Sequence, residues 1–164
     1  MRTTLDWKKG LFRSIYKIYA DSVLVGYLNE KTWTESSHGE LHGERFKFRT
    51  KGFLHQQTGV FNNENNAPIG KITYSSWMTK AKIEYSGKIY YWKFDNFWSS
   101  SWILYNDEGR QIQYKRTSSK GRIECDLEDN FLIMTGLYIN NYYWQTTMVI
   151  LMTVFLPLWL VIIS

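Results

Sequence analysis

The sequence predicts a mainly-β domain, a sandwich or barrel of about ten to twelve short strands, followed by an apolar, charge-free tail. Three observations carry this. The chain matches itself without a gap when displaced by 44 positions, Gly26 falling on Gly70, Trp33 on Trp77, Glu40 on Glu84, Gly43 on Gly87, Phe53 on Phe97 and Asn62 on Asn106. Similar residues fill the intervals, among them Leu28/Ile72, Phe46/Tyr90, Phe48/Trp92 and Val60/Leu104. A repeat of this length marks a supersecondary unit that cannot bury its apolar face alone and needs a second copy to close a core. The second observation is composition: 18% of the 164 residues are aromatic, with eight Trp and twelve Tyr against two Pro. Aromatic residues suit half-buried pleated surfaces. The third is a hydrophobic period of two from Val23 onward.

Along the chain, Trp7, Leu11, Ile15 and Ile18 stand at helical spacing with Lys8, Lys9, Arg13 and Lys17 between them. That segment reads as a short amphipathic helix or as a first strand, and periodicity leaves both open. In the second copy, Lys82–Tyr85 and Lys88–Phe94 flank Ser86-Gly87, a hairpin whose turn needs a positive φ. Residues 62–68, rich in Asn, form the expected exposed connector between copies. Ser101–Tyr105 and Arg110–Arg116 flank a second turn, and Thr117–Gly121 a third. The lone Cys125 alternates with Ile123 and Leu127, which points to a buried, inert thiol and excludes an internal disulfide.

No charged residue follows Asp129. Phe131–Ile139 is a helix-length apolar run with Asp129 or Asn130 placed to cap it. Asn140 and Asn141 interrupt, and a second run, Met148–Ile163, is long enough to span roughly 25–30 Å, the hydrocarbon thickness of a bilayer. Tyr142, Tyr143 and Trp144 stand where an aromatic belt would, and Pro157 is tolerable in a membrane helix. The last run is therefore expected either as a C-terminal membrane anchor (Trp144, Met148, Ile150, Phe155, Pro157, Trp159, Ile163) or as a helix packed back on the domain or on a twin. The start, Met1–Asp6, precedes no long apolar run, so a cytoplasmic domain without a signal peptide is expected.

Gly70-Lys71-Ile72, Trp77, Tyr90–Lys93, Trp102–Asp107 and Asp129–Tyr138 together resemble the tubby-like superfamily, which includes LURP-one-related proteins and phospholipid scramblases. The similarity covers roughly residues 15–144. It implies a closed antiparallel barrel of about twelve strands around one hydrophobic helix, with that helix last in the fold. On this reading residues 1–144 form the barrel, with repeats 25–66 and 69–110 and a central helix over about 130–143, and residues 145–164 form a second apolar helix beyond it. Membership implies work at membranes, in some relatives on phosphoinositides and in others on lipid scrambling. The chain shows no dense acidic loop for calcium, which argues against transferring scrambling.

The candidate headgroup ligands are Lys115, Arg116, Lys120 and Arg122, gathered in one basic hairpin. Anionic lipid attracts such clusters by about 1 kcal/mol per cation; a plain solvated loop is the other reading. The net charge of +5 permits this contact and demands nothing. His38 and His42 invite a zinc reading, but the repeat sets His42 beside the turn glycine of a hairpin, where residues four apart lie roughly 13 Å apart. No metal, no cofactor and no catalytic set is expected. Asp95, Asp107 and Asp126 accompany no nucleophile motif, and His55 has no evident partner. The aromatic residues between Lys88 and Lys93 are expected to fill the domain on one face rather than stack on nucleic acid. The expected function is a non-catalytic, membrane-tethered domain contacting anionic phospholipid or a protein partner. The alternatives are a soluble interaction module and a scramblase-like lipid mover.

Overall fold

The computed structural model describes residues 3–10, 15–30, 36–50 and 57–163, the side chains of 158 and 160–163 excepted. Leu11, Arg13, Trp33, Phe53 and His55, and the side chain of Ile163, lie outside the described residues. The strands are β1 (Thr3–Lys9), β2 (Ile15–Ala20), β3 (Val23–Asn29), β4 (Ser36–Leu41), β5 (Glu44–Thr50) and β6 (Gln57–Asn62). They continue with β7 (Pro68–Tyr74), β8 (Lys80–Tyr85), β9 (Lys88–Phe94), β10 (Ser101–Tyr105), β11 (Gln111–Thr117) and β12 (Lys120–Cys125). One helix, α1 (Asn130–Ile163), ends the chain. Each strand pairs antiparallel with its neighbours in sequence, and β1 closes on β12 through Leu5 opposite Ile123, so the sheet is a closed barrel. Closure removes every sheet edge.

The first segment is therefore strand, not helix. Leu5 and Trp7 point inward on β1, and Tyr16 and Ile18 on β2. The duplication appears as two four-strand units, β3–β6 and β7–β10. Strand β5 over residues 44–50 maps onto β9 over 88–94 at the same displacement of 44. Both copies turn on the same chemistry. His42-Gly43 has φ of 49° and 85°, and Ser86-Gly87 has 51° and 72°. Two successive positive φ values are the mirror-image turn that matches strand twist, and glycine takes the second at no steric cost.

The inward rows of Phe46/Phe48, Tyr90/Trp92, Trp102/Leu104 and Ile112/Tyr114 enclose the first half of α1. Asp129 caps it: its carboxylate accepts from the Leu132 amide at 3.0 Å. Asn130 ties the start to the barrel, donating to Glu44 at 2.7 Å and accepting from the His42 ring at 2.9 Å. Inside, Trp92 Nε1 donates to the Gly136 carbonyl at 3.1 Å. Gly136 has no room for a side chain, since a Cβ would collide with the Tyr114 ring and hydroxyl. Cys125 is buried, and burial pushes its thiol up to about 12, so the reactive thiolate is suppressed.

Two expectations about the tail are corrected. Asn140 and Asn141 do not divide it: α1 runs through them as one helix, so the central helix and the second apolar helix are a single rod. The barrel takes up part of their polarity: the Asn141 side-chain carbonyl accepts from Lys9 Nζ at 2.7 Å and from the Tyr16 hydroxyl at 3.3 Å, while the Nδ2 groups of Asn140 and Asn141 are buried without a hydrogen-bond partner among the described residues. Nor do Tyr142, Tyr143 and Trp144 form one belt. Tyr143 is buried, its hydroxyl donating to the Lys80 carbonyl, and Tyr142 stacks on Tyr74 with centroids 4.2 Å apart. Trp144 alone of the three is exposed. Beyond it, residues 150–157 are all exposed, so the helix stands clear of the barrel on every side. Among the described residues, no helix is long and apolar enough to cross a membrane.

Candidate functional site

The antiparallel order puts the C-terminal ends of β1, β3, β5, β7, β9 and β11 on one rim. After β12 the chain is at the opposite rim, so α1 enters there, threads the barrel and leaves through the first rim. Lys9 at the end of β1, Lys80 at the start of β8 and Arg116 near the end of β11 mark the exit by their contacts to Asn141, Tyr143 and Trp144.

This exit rim carries exposed aromatic side chains. Trp77 lies between β7 and β8 and is 87% exposed. Phe97 and Trp98, between β9 and β10, are 91% and 81% exposed and meet edge to face at 5.6 Å. Large aromatic groups held out in water on the rim that also emits an apolar helix form an apolar surface of the kind that marks an interaction site. The sequence offers Trp77 as a marker of the repeat and of the tubby-like resemblance, and Phe97 as a marker of the repeat, but neither as a surface residue. A signal was present: positions 33/77 and 53/97 are aromatic in both copies of the repeat, and Trp77 and Phe97 fall between strands.

The basic hairpin is split by the pleat. Lys115 and Arg122 face each other across β11 and β12, and Lys120 follows on the same outer wall. There Lys115 meets Glu124 at 3.4 Å and Arg122 meets Asp6 at 3.3 Å. Arg116, one residue on from Lys115, turns inward to the rim. Its guanidinium lies over the Trp144 ring at 5.5 Å and donates to the Ser99 carbonyl at 3.2 Å. Three of the four expected headgroup ligands thus share a wall with carboxylates, and the fourth stands at the helix exit.

Two further residues stand at the exit: Lys9, which the sequence offered with Lys8, Arg13 and Lys17 as an addition to the basic hairpin, and Glu30, which it did not single out. Glu30, just past β3, is 2% exposed, and neither carboxylate oxygen has a hydrogen-bond partner among the described residues. Burial holds its carboxyl well above the usual range, and the attraction of Lys9 offsets only part of this. Burial likewise lowers Lys9, which Glu30 partly restores. The histidines go to separate duties, His42 at the start of α1 and His38 to Asn63 at 3.0 Å.

No family model, curated protein or solved structure matches the chain.

Proposed function

We propose that this chain is a non-catalytic barrel tethered to a membrane by the half of α1 beyond Trp144, with the exit rim seated at the lipid interface. One observation carries the reading: an apolar helix, exposed on all its sides, leaves the barrel through the rim that bears Trp77, Phe97 and Trp98. A helix apolar all round is stable only where apolar matter surrounds it, and aromatic side chains favour the boundary between lipid and water. The polar atoms of this half point the same way. Thr153 donates to the Val149 carbonyl and Thr146 to the Tyr142 carbonyl, each at 2.8 Å, so their hydroxyls need no water. The apolar sequence also continues from Leu158 to Ile163 without a charge.

The lipid contacted is anionic, and the barrel lies on the cytoplasmic face, because the segment leading to the tether carries Lys115, Arg116, Lys120 and Arg122. The resemblance to tubby-like barrels belongs to this reading, supported by the twelve strands closed around an apolar helix. Cell fractionation tests it. The full chain should pellet with membranes, resist an alkaline wash and dissolve in detergent, and a chain ending at Trp144 should be recovered without detergent. A full chain recovered in the supernatant without detergent removes the tether and favours association of α1 with a second copy or a protein partner.

A further inference from the structure

We propose that the cavity beside the exit of α1 binds a phosphate group, and that at a membrane this is the phosphate of an anionic lipid headgroup. The lipid source rests on the tethered reading; the phosphate chemistry does not. The cavity measures about 540 Å³, and Lys9, Ser100, Arg116, Ser118, Ser119 and Trp144 supply the walls the argument uses. A volume of this order is typical of small-ligand sites.

The donors come from separate parts of the chain and converge only in the closed barrel. Lys9 ends β1, Ser100 precedes β10, and Arg116 with Ser118 and Ser119 belongs to β11 and its turn. Both cations are already held. Lys9 Nζ donates to Asn141 at 2.7 Å and lies 4.9 Å from the centre of the Tyr16 ring. The Arg116 guanidinium lies over the Trp144 ring at 5.5 Å and spends one N–H on the Ser99 carbonyl, which leaves further N–H groups to bind. Groups ordered in advance lose little entropy when a ligand arrives.

Lys9 feels the buried Glu30 carboxyl, but among the described residues neither cation is closed off by a direct salt bridge, whereas Lys115 and Arg122 on the outer wall both form one. Two cations and three hydroxyls offer more donors than the two oxygens of a carboxylate can take, and they suit the several oxygens of a phosphate. Trp144 lines the cavity and also begins the emergent half of α1. A phosphate held there sits at the level where headgroups meet the hydrocarbon.

Two measurements on the full chain test this. In zwitterionic detergent, inorganic phosphate should shift the amide resonances of Gly10, Ser118 and Ser119 and the Arg116 side-chain resonance, and R116Q should abolish the shifts. In flotation, vesicles of phosphatidylcholine with phosphatidic acid should hold the wild type about tenfold more tightly than R116Q, the worth of one charge-assisted hydrogen bond. Lys115→Gln with Arg122→Gln should retain both effects. Should R116Q lose its spectral dispersion, Ser118→Ala with Ser119→Ala decides, since it removes donors and keeps every charge. Shifts without a phosphatidic acid effect assign the site to a free phosphate ester and overturn the lipid source. No shift, together with equal flotation of wild type and variant, overturns the site itself. Failure to float on any vesicle refutes the tether and leaves the phosphate result to stand or fall alone.

Discussion

The two halves of α1 are alike in sequence and opposite in surroundings. Neither contains a charge, and both are rich in large apolar side chains. Residues 131–141 are buried without exception, whereas residues 150–157 are exposed without exception. The helix itself has no apolar stripe to tell a core side from a wet side, as expected of a rod surrounded on all sides. What differs is the wall. Twelve strands supply a lining for about the first fourteen residues, since a strand rises only about 3.3 Å per residue and the barrel is correspondingly short. The remainder continues into whatever lies beyond the rim. Apolar composition thus marks a segment as avoiding water without saying what shelters it.

The contrast can be broken first at Phe131. It stacks on Tyr85 at 4.0 Å and meets Phe46 edge to face at 6.2 Å. Phe131→Ala should cost about 3–5 kcal/mol in denaturant unfolding. The same change at Phe155 should leave unfolding within about 0.5 kcal/mol while weakening flotation on vesicles. Equal losses at the two sites would mean the outer half also packs on protein. Next comes Gly136→Ala, which adds one methyl against Tyr114 and should cost about 1–3 kcal/mol by overpacking; Met152→Leu in the outer half should cost nothing measurable.

A smaller effect of opposite sign is expected at Glu30. Its carboxyl holds a proton more tightly in the barrel than in the unfolded chain. Its contribution is therefore full below the unfolded value of about 4.3 and declines as pH rises towards the folded value. Glu30→Gln should raise stability at neutral pH, with the gain vanishing near pH 4. Urea midpoints measured across that range check it, and a gain independent of pH would refute it. The smallest effect belongs to the outer wall, where exposed pairs such as Lys115–Glu124 contribute at most about 0.5–1 kcal/mol. Lys115→Gln should therefore barely shift the urea midpoint.

Local chemistry explains how much was readable. Turns such as Ser86-Gly87 declare themselves through residues that accept positive φ, and the repeat supplies the second copy. Alternation along Lys88–Phe94 marks a strand with two unlike faces, and the structure shows the buried one to be that of Tyr90 and Trp92. The exit rim was far less legible. Arg116 and Lys115 are adjacent in sequence and were grouped, yet the pleat sends them to opposite faces. Lys9, Glu30 and Asn141 are separated by tens of residues, and no local period connects them. Asn140 and Asn141 looked like a break because helix interiors rarely hold such pairs, and only the spatial neighbours Lys9 and Tyr16 at the rim give the Asn141 carbonyl its partners.

Backbone preference and period are properties of neighbours along the chain, and they sufficed for strands, hairpins, duplication and the water-avoiding character of the tail. Ring closure, the depth to which α1 is sheathed, and the meeting of Lys9, Arg116 and Trp144 are properties of neighbours in space. They depend on β1 finding β12 across the ten intervening strands, a pairing whose loop entropy no short motif encodes.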